Sequence, residues 1–567
     1  MFQTRTPHLA ANRDLRVRAV WIAALSFSCA LVACHADADD PAGQASELRD
    51  PIRRQNAISN LSRLYAKALA EHEGDRSSEA VKKIADAIYA PMNDVYLDAP
   101  QDIQNGQSIL DLMAEMQDAR TIPSLVQALR FRTGVSEAHA TRAAQALRSI
   151  QIPEAERSKV IEALAAALDR VRGSTGQANR LRIALIRSLR AMRDSATAAS
   201  LTKMAMAQRE DQDFQINRMA AVALGELGLA ESADSMIRGL YLFGLGQPNM
   251  RMNDVAAEAL VRIGRPSLGP LLRTLDGQNQ DANDLAEAYI AAVRAVNPRA
   301  AAQTSVRQHV SSEAAFALGA LGLPEAFPPL LAETESGDSA RALQACIAMV
   351  RLLLPDAERE ALREVLVSVY EALPDHVSGA AKRVQLLTVM KHTYDPKMLP
   401  FFQKEMNDRA QIPDVRIAAA SAYATLANKE ELRPIRRYVS QEQNPRDGRH
   451  DPMLDAAEEC DVALRCWQEK LRSSDPVLAS KASFMLGRLG RDNAAVISSL
   501  VSKLGDSSPE IRLAALAALD RVAVHGSQEA IDKIEELRVA EQGRSVWNVF
   551  GREALPVQAR LRLRLES

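Results

Sequence analysis

Aromatic residues make up only 4% of this 567-residue chain, and its nine histidines are scattered. His72, His139, His309, His376, His392 and His525 each stand without a second His or a Cys at the spacing a metal ion requires. No Gly-x-Ser-x-Gly, no Gly-x-x-x-x-Gly-Lys-Ser/Thr, no His-Glu-x-x-His and no dinucleotide fingerprint occurs. That removes the sequence signals of the common hydrolase, nucleotide and zinc-protease sites. Carboxylates are plentiful, but they alternate with Lys and Arg as they do on solvated helix faces. Adjacent pairs such as Glu458-Glu459 and Glu535-Glu536 point in different directions around a helix, so they make poor acid/base pairs. No catalytic residue, metal ligand or cofactor is assigned, and a non-enzymatic role is expected. Charge of one sign is missing too: 70 basic residues face 72 acidic ones, for a formal net charge of −2. This gives no electrostatic case for a nucleic-acid partner. Beyond residue 31 there is no long apolar run of the kind that spans a bilayer.

What the chain does have is a period. Asp475-Pro476-Val477-Leu478-Ala479-Ser480-Lys481-Ala482-Ser483-Phe484-Met485-Leu486-Gly487 returns 33 positions later as Ser508-Pro509-Glu510-Ile511-Arg512-Leu513-Ala514-Ala515-Leu516-Ala517-Ala518-Leu519-Asp520. Asp475 and Ser508 are good N-cap residues, each followed by Pro at the first helical position, where the missing N–H costs nothing. Leu478, Ala482, Met485, Leu486 and Leu489 then recur at spacings of three and four, the mark of one apolar helix face. Val496 to Leu504 supplies an antiparallel second helix. A lone hairpin of this size cannot bury its other face, so neighbouring copies must cover it. Earlier copies appear at Asn217 to Gly228, Val255 to Gly264 and Ser312 to Gly322, with Pro270 and Pro328 opening the helices that follow the last two. Pro123, Pro400 and Pro434 hold similar places in other units.

The pattern Ala-x-x-x-Leu-Gly-x-Leu-Gly followed by a second helix, with Arg218, Arg416 and Arg512 early in first helices, resembles HEAT repeats, including the short type found in phycobilin lyases. The resemblance covers most of residues 107–540. It implies an all-α fold, a right-handed α-solenoid of antiparallel helix pairs, whose inner surface would be built largely from second helices and would hold a protein partner. It implies little about biochemical role, since such arrays serve as adaptors, scaffolds and lyases. A lyase- or chaperone-like ligand groove is thus the alternative function. The unit at Pro413 to Ala427 departs from the pattern, with Tyr423 and Ala424 where Leu224 and Gly225 stand in the clear copy.

The N-terminus carries Arg5, Arg13, Arg16 and Arg18 against Asp14 alone, then an apolar stretch over 19–31 too short for a comfortable span. It ends Leu31-Val32-Ala33-Cys34, which resembles the lipobox of bacterial lipoproteins. That resemblance implies cleavage before Cys34, acylation of its thiol and N-terminus with palmitate-like chains, and residence in the cell envelope. His35 in place of Asp tilts the expectation toward the outer membrane, facing the periplasm. The chain then divides into a signal peptide (1–33), a flexible tether (34–50), an N-terminal helical cap (51–106), a repeat array (107–439), a polar loop with a Cys-containing segment (440–472), C-terminal repeats (473–540) and a C-terminal cap (541–567).

Cys460 and Cys466 follow the polar loop. In one continuous helix, six residues rise about 9 Å, beyond the reach of a disulfide. Either Asp461 to Arg465 departs from helix and the bridge forms, or both thiols are free. Zinc would want a second Cys pair, which is absent. Cys346 reads as a small apolar core residue. At the end of the chain Trp547 and Phe550 are expected to cover the last repeat, and the alternation Arg560-Leu561-Arg562-Leu563-Arg564 reads as an edge strand or a frayed helix with solvated arginines.

Overall fold

The computed structural model describes residues 36–566 except 101, 133–135, 210–211, 303, 375–376, 442–450 and 542–543. The expected signal peptide, Cys34 and most of the polar loop thus lie outside the described residues. The chain divides into two compact units, one up to Ala191 and the other from Met192.

In the first unit the helices are α1 (Pro41–Glu47), α2 (Arg54–Glu71), α3 (Glu79–Asp98), α4 (Ile103–Met116), α5 (Ile122–Ala128), α6 (Glu137–Ser149), α7 (Glu154–Arg170) and α8 (Gly176–Met192). The presence of α1 corrects the expected tether over 34–50. Asp40 caps the helix by accepting the backbone N–H groups of Ala42 and Gly43, with Pro41 at the first turn. Gln44 donates its side-chain amide to the carbonyls of Ala36 and Asp37 at 2.9 and 3.0 Å, and Ala45 and Leu48 are buried against α2 and α3. The short acidic, Pro-containing stretch is a capping signal, which composition alone made look like a linker. His139 is a packing residue: its ring bonds the Tyr96 hydroxyl and the Ile103 carbonyl, each at 3.0 Å, and fills the space that Gly106 leaves open.

The second unit continues with α9 (Ala198–Met206), α10 (Phe214–Leu227), α11 (Ala233–Gly239), a two-stranded antiparallel ribbon β1 (Phe243–Gly244) and β2 (Gln247–Arg251), then α12 (Asn253–Ile263) and α13 (Leu268–Leu275). Next come the inserted helices α14 (Gln280–Val296) and α15 (Pro298–Ala302), followed by the pairs α16 (Val306–Leu321) with α17 (Phe327–Thr334) and α18 (Ser339–Val350) with α19 (Asp356–Ala372). The remaining pairs are α20 (Val377–Met390) with α21 (Leu399–Asn407), α22 (Pro413–Leu426) with α23 (Leu432–Gln441), and α24 (Asp451–Cys460) with α25 (Leu464–Lys470). After them come α26 (Pro476–Leu489) with α27 (Ala494–Lys503), α28 (Pro509–Val522) with α29 (Gln528–Glu541), and a final helix α30 (Ser545–Glu566). The architecture is all-α, a succession of antiparallel helix pairs of the HEAT-like type.

The Leu-Gly signature has two separate physical jobs. The inner Gly sets how closely consecutive first helices approach: a Cβ on Gly225 would lie 2.8 Å from Ala259 Cα, and one on Gly319 2.8 Å from Ala348 Cα. The outer Gly ends the helix in the left-handed region, at φ +64° for Gly228 and +72° for Gly322, where a side chain would be strained. In α22 the outer Gly is Ala427, which is extended, so the last carbonyls of the helix need partners from elsewhere. They find them on α26. The Lys481 ammonium donates to the carbonyls of Ala424, Thr425 and Ala427 at 3.0, 2.8 and 2.8 Å, and Arg488 donates to that of Leu426.

The C-terminal segment corrects a second expectation. It is neither strand nor frayed end but a 22-residue helix that tolerates Pro556 in its interior. This helix, α30, packs on α28 and α29 and also reaches back to α12 and α16. Phe550 is buried beneath the Arg512 guanidinium, 4.1 Å from the ring centre. Arg560 donates to the Ala320 carbonyl at 2.5 Å across 240 residues of sequence, and Leu563 sits against Gly264. The second unit is thereby closed on itself.

Candidate functional site

Closure by α30 leaves a cavity of about 520 Å³ inside the second unit. Its helical wall comes from first helices, with Ala257 on α12, Phe316 on α16, Val350 on α18, Val389 on α20 and Leu516 on α28, and from α30. Among the described residues no second helix contributes to it. For this cavity, unlike the expected inner surface, the wall is built from first helices: the close Gly contacts bring them side by side, and α30 lies across them. A smaller cavity of about 300 Å³ adjoins it, sharing His392, Tyr394 and Ala517.

Most of the wall is apolar, but the charged groups on it are unevenly matched. Arg351, Arg521, Arg552, Arg560 and Arg564 face Asp254, Asp520 and Glu553. Asp254 is already held by Arg218, which donates to both its oxygens at 2.7 and 2.8 Å. Burial alone would raise the Asp254 carboxyl, yet Arg218 outweighs it and holds the group below the ordinary carboxylate range. Asp520 is shared by Arg560 at 2.6 Å and Arg564 at 3.0 Å, and these two charges likewise overcome burial and keep it ionised. Glu553 is then the one cavity carboxylate without a guanidinium on it among the described residues, against Arg351, Arg521 and Arg552.

Arg351 and Arg521 have unusual surroundings. The Arg351 side chain is exposed on the cavity wall, yet desolvation by the surrounding protein draws it below its ordinary value despite the Glu553 and Asp520 charges. Arg521 is drawn down by burial first and by Arg359 next; its guanidinium lies 5.8 Å from the Tyr394 ring centre. Both remain cationic at neutral pH. Tyr394 stacks on Phe484 at 4.2 Å and is held at φ 57°. His392 is exposed on the cavity wall, and the surrounding protein, then the charges of Lys391 and Arg351, pull it down to about 4, so it faces the cavity as a neutral imidazole. Among the described residues, no cluster of His, Cys, Asp and Glu is able to hold a metal ion.

The residues singled out in the sequence lie elsewhere. Cys460 and Cys466 have their sulfurs joined and their Cα atoms 5.2 Å apart, with α24 ending at Cys460 and Asp461 turning through φ 49° before α25. Trp467 behind them is fully buried and donates to the Asp461 carbonyl at 2.8 Å. Cys346 is buried in α18, its thiol pushed up to about 12 by desolvation, and it does not line the cavity that its neighbour Ile347 lines. The Trp547 side chain lies outside the described residues. Arg560 and Arg564, read from sequence as solvated, are instead central. The missed signal was their spacing: on a helix, positions i and i+4 share a face, so the Arg/Leu alternation hid a paired basic stripe.

No protein-family model matches the chain, and no curated protein matches it. Among solved structures, the chain is similar to the karyopherin Kap121p bound to the extreme C-terminus of the protein phosphatase Cdc14p, with a TM-score of 0.45 and 12% identity over 94% of this chain and 58% of that one. It is similar to Kap121p bound to Ste12p at TM-score 0.46 and 13% identity, over 94% of this chain and 57% of that one. Importin beta gives a TM-score of 0.32 at 11% identity, over 93% and 79% of the two chains. The chain spans under three-fifths of Kap121p's length.

Proposed function

We propose that this chain is a non-enzymatic HEAT-like scaffold of the cell envelope, anchored by lipid on Cys34 at the outer membrane facing the periplasm, and binding a protein partner. The observation that supports the scaffold reading is the locked packing of successive first helices through Gly225 on Ala259 and Gly319 on Ala348. Such packing makes a rigid array and turns the second helices outward from the cavity, where they offer an extended surface of the kind repeat proteins use for recognition. Anchoring rests on the Leu31-Val32-Ala33-Cys34 motif; among the described residues no helix is long and apolar enough to cross a membrane. The cavity favours a second reading beside it, a ligand-holding repeat protein.

The scaffold reading is tested by affinity capture from detergent extracts of membranes, using the chain with Cys34→Ala as bait. The result expected is one protein partner recovered repeatedly, which then binds the purified chain directly in a fixed ratio. Failure to reconstitute any pair from purified components contradicts the reading. For the anchor, labelled palmitate should enter the natural chain and not Cys34→Ala, and the variant should leave the membrane fraction.

A further inference from the structure

We propose that the cavity closed by α30 is a binding site for a small amphiphilic anion, a carboxylate or phosphate ester on an aliphatic body, with Arg351 and Arg521 taking the anionic group and Phe316, Ile347, Val350 and Leu513 taking the body. It goes beyond the scaffold reading and does not depend on a protein partner.

Three observations carry the assignment. The first is size: about 520 Å³ falls within the roughly 300–1,000 Å³ of small-molecule pockets, and the wall is mainly apolar with a few polar groups, as such pockets are. The second is charge. Asp254 is used by Arg218 and Asp520 by Arg560 and Arg564, so the cavity carries more guanidinium than its own carboxylates neutralise. The third is the lack of partners for two of those cations. Among the described residues neither Arg351 nor Arg521 has a carboxylate at ion-pair distance; each has only a distant ring, Phe316 at 6.0 Å and Tyr394 at 5.8 Å. Arg351 is exposed on the cavity wall and Arg521 half-buried, so both guanidinium forks are accessible from the cavity, and a ligand anion would pair with them more closely than Glu553 and Asp520 do. Arg presents a planar fork that fits carboxylate and phosphate oxygens alike. A neutral His392 adds one N–H donor and no charge. A cationic ligand would meet the surplus guanidiniums, and a wholly apolar one would leave them unpaired.

The test is calorimetric titration of the full chain carrying Cys34→Ala, so that no lipid of its own competes, with dodecanoate, dodecyl phosphate, dodecanol and dodecyltrimethylammonium below their micelle concentrations. One site per chain is expected for the anions, with dodecanol weaker by about tenfold or more and the cation not bound. Preference between dodecanoate and dodecyl phosphate tells a fatty-acid source from a phospholipid-like one. Arg351→Gln combined with Arg521→Gln should cost about tenfold or more in anion affinity and narrow the gap to dodecanol. Ala517→Phe, which narrows the cavity without touching an arginine, should weaken all the ligands that bind. Equal affinity for dodecanol and dodecanoate, or no binding of either anion, overturns the proposal on the unmodified cavity even if a variant fails to fold.

Discussion

Replacing Lys481 with Met tests most sharply how the irregular α22 unit is held. The side chain is 1% exposed, and its three ammonium donors meet three carbonyls at the end of α22, a number that matches only in the charged form. Met keeps the length and apolar stem but removes the donors. Leaving three buried carbonyls without partners costs about 1–3 kcal/mol each. Relief from desolvating an ammonium returns several kcal/mol. The two terms oppose, and the three-fold satisfaction should win by about 1–4 kcal/mol, with Arg488 still holding the Leu426 carbonyl. Burial, with the Arg488 charge second, pulls Lys481 well below the ordinary lysine value. The unfolded chain then holds the proton more tightly than the folded one, so this group makes stability rise with pH up to the unfolded pKa of about 10.4. The Met variant lacks that slope, and its deficit should widen between pH 7 and 10. The assay is urea unfolding followed by tryptophan fluorescence in a Trp21→Phe, Trp547→Phe background, so that Trp467, whose ring centre lies 5.7 Å from the Lys481 nitrogen, is the sole reporter. A Met variant as stable as the natural chain at pH 7, or a deficit that shrinks with rising pH, would refute the reasoning.

Other substitutions probe the remaining contacts. Gly225→Val forces a side chain onto Ala259 and should cost about 1–3 kcal/mol by overpacking, visible as a lowered thermal midpoint. Asp520→Ala leaves Arg560 and Arg564 without their shared carboxylate and should cost about 3–5 kcal/mol, with hydrogen exchange quickening across Ser545–Glu566 first. Because the folded-state value of Asp520 is held low, its contribution should be present above about pH 4 and fade as pH falls through that low value. Alkylation of the unfolded, unreduced chain should leave Cys460 and Cys466 unlabelled and label Cys346; opening the bridge with reductant should cost about 2 kcal/mol for so short a loop.

The helix pairs were legible because their signals are local. Asp475 and Ser508 do cap α26 and α28, accepting from the N–H groups of Val477 and Ile511, and the Leu-Gly pattern marks both helix spacing and helix ends. The HEAT-like architecture followed from that repetition. The cavity did not, because it joins residues hundreds of positions apart: Asp254 and Ala257 on α12 meet Arg552 and Arg560 on α30, and no period connects them. Arg351 and Arg521 each stand at or near the end of a first helix, where a basic residue looks like an ordinary partner for the helix dipole. Only their position beside α30 gives them another meaning. The tether was misread for the opposite reason: Asp40-Pro41 is a helix start, but a helix of seven residues has too little periodicity to be seen.

The closure of the second unit by α30 is most directly tested by placing a photo-reactive phenylalanine analogue at Leu563 and mapping its cross-links by mass spectrometry. Linkage to the end of α12 around Gly264 is expected, since Leu563 lies against that glycine. Cross-links confined to α28 and α29, with none to residues 253–264, would contradict the closed unit and remove the cavity with it.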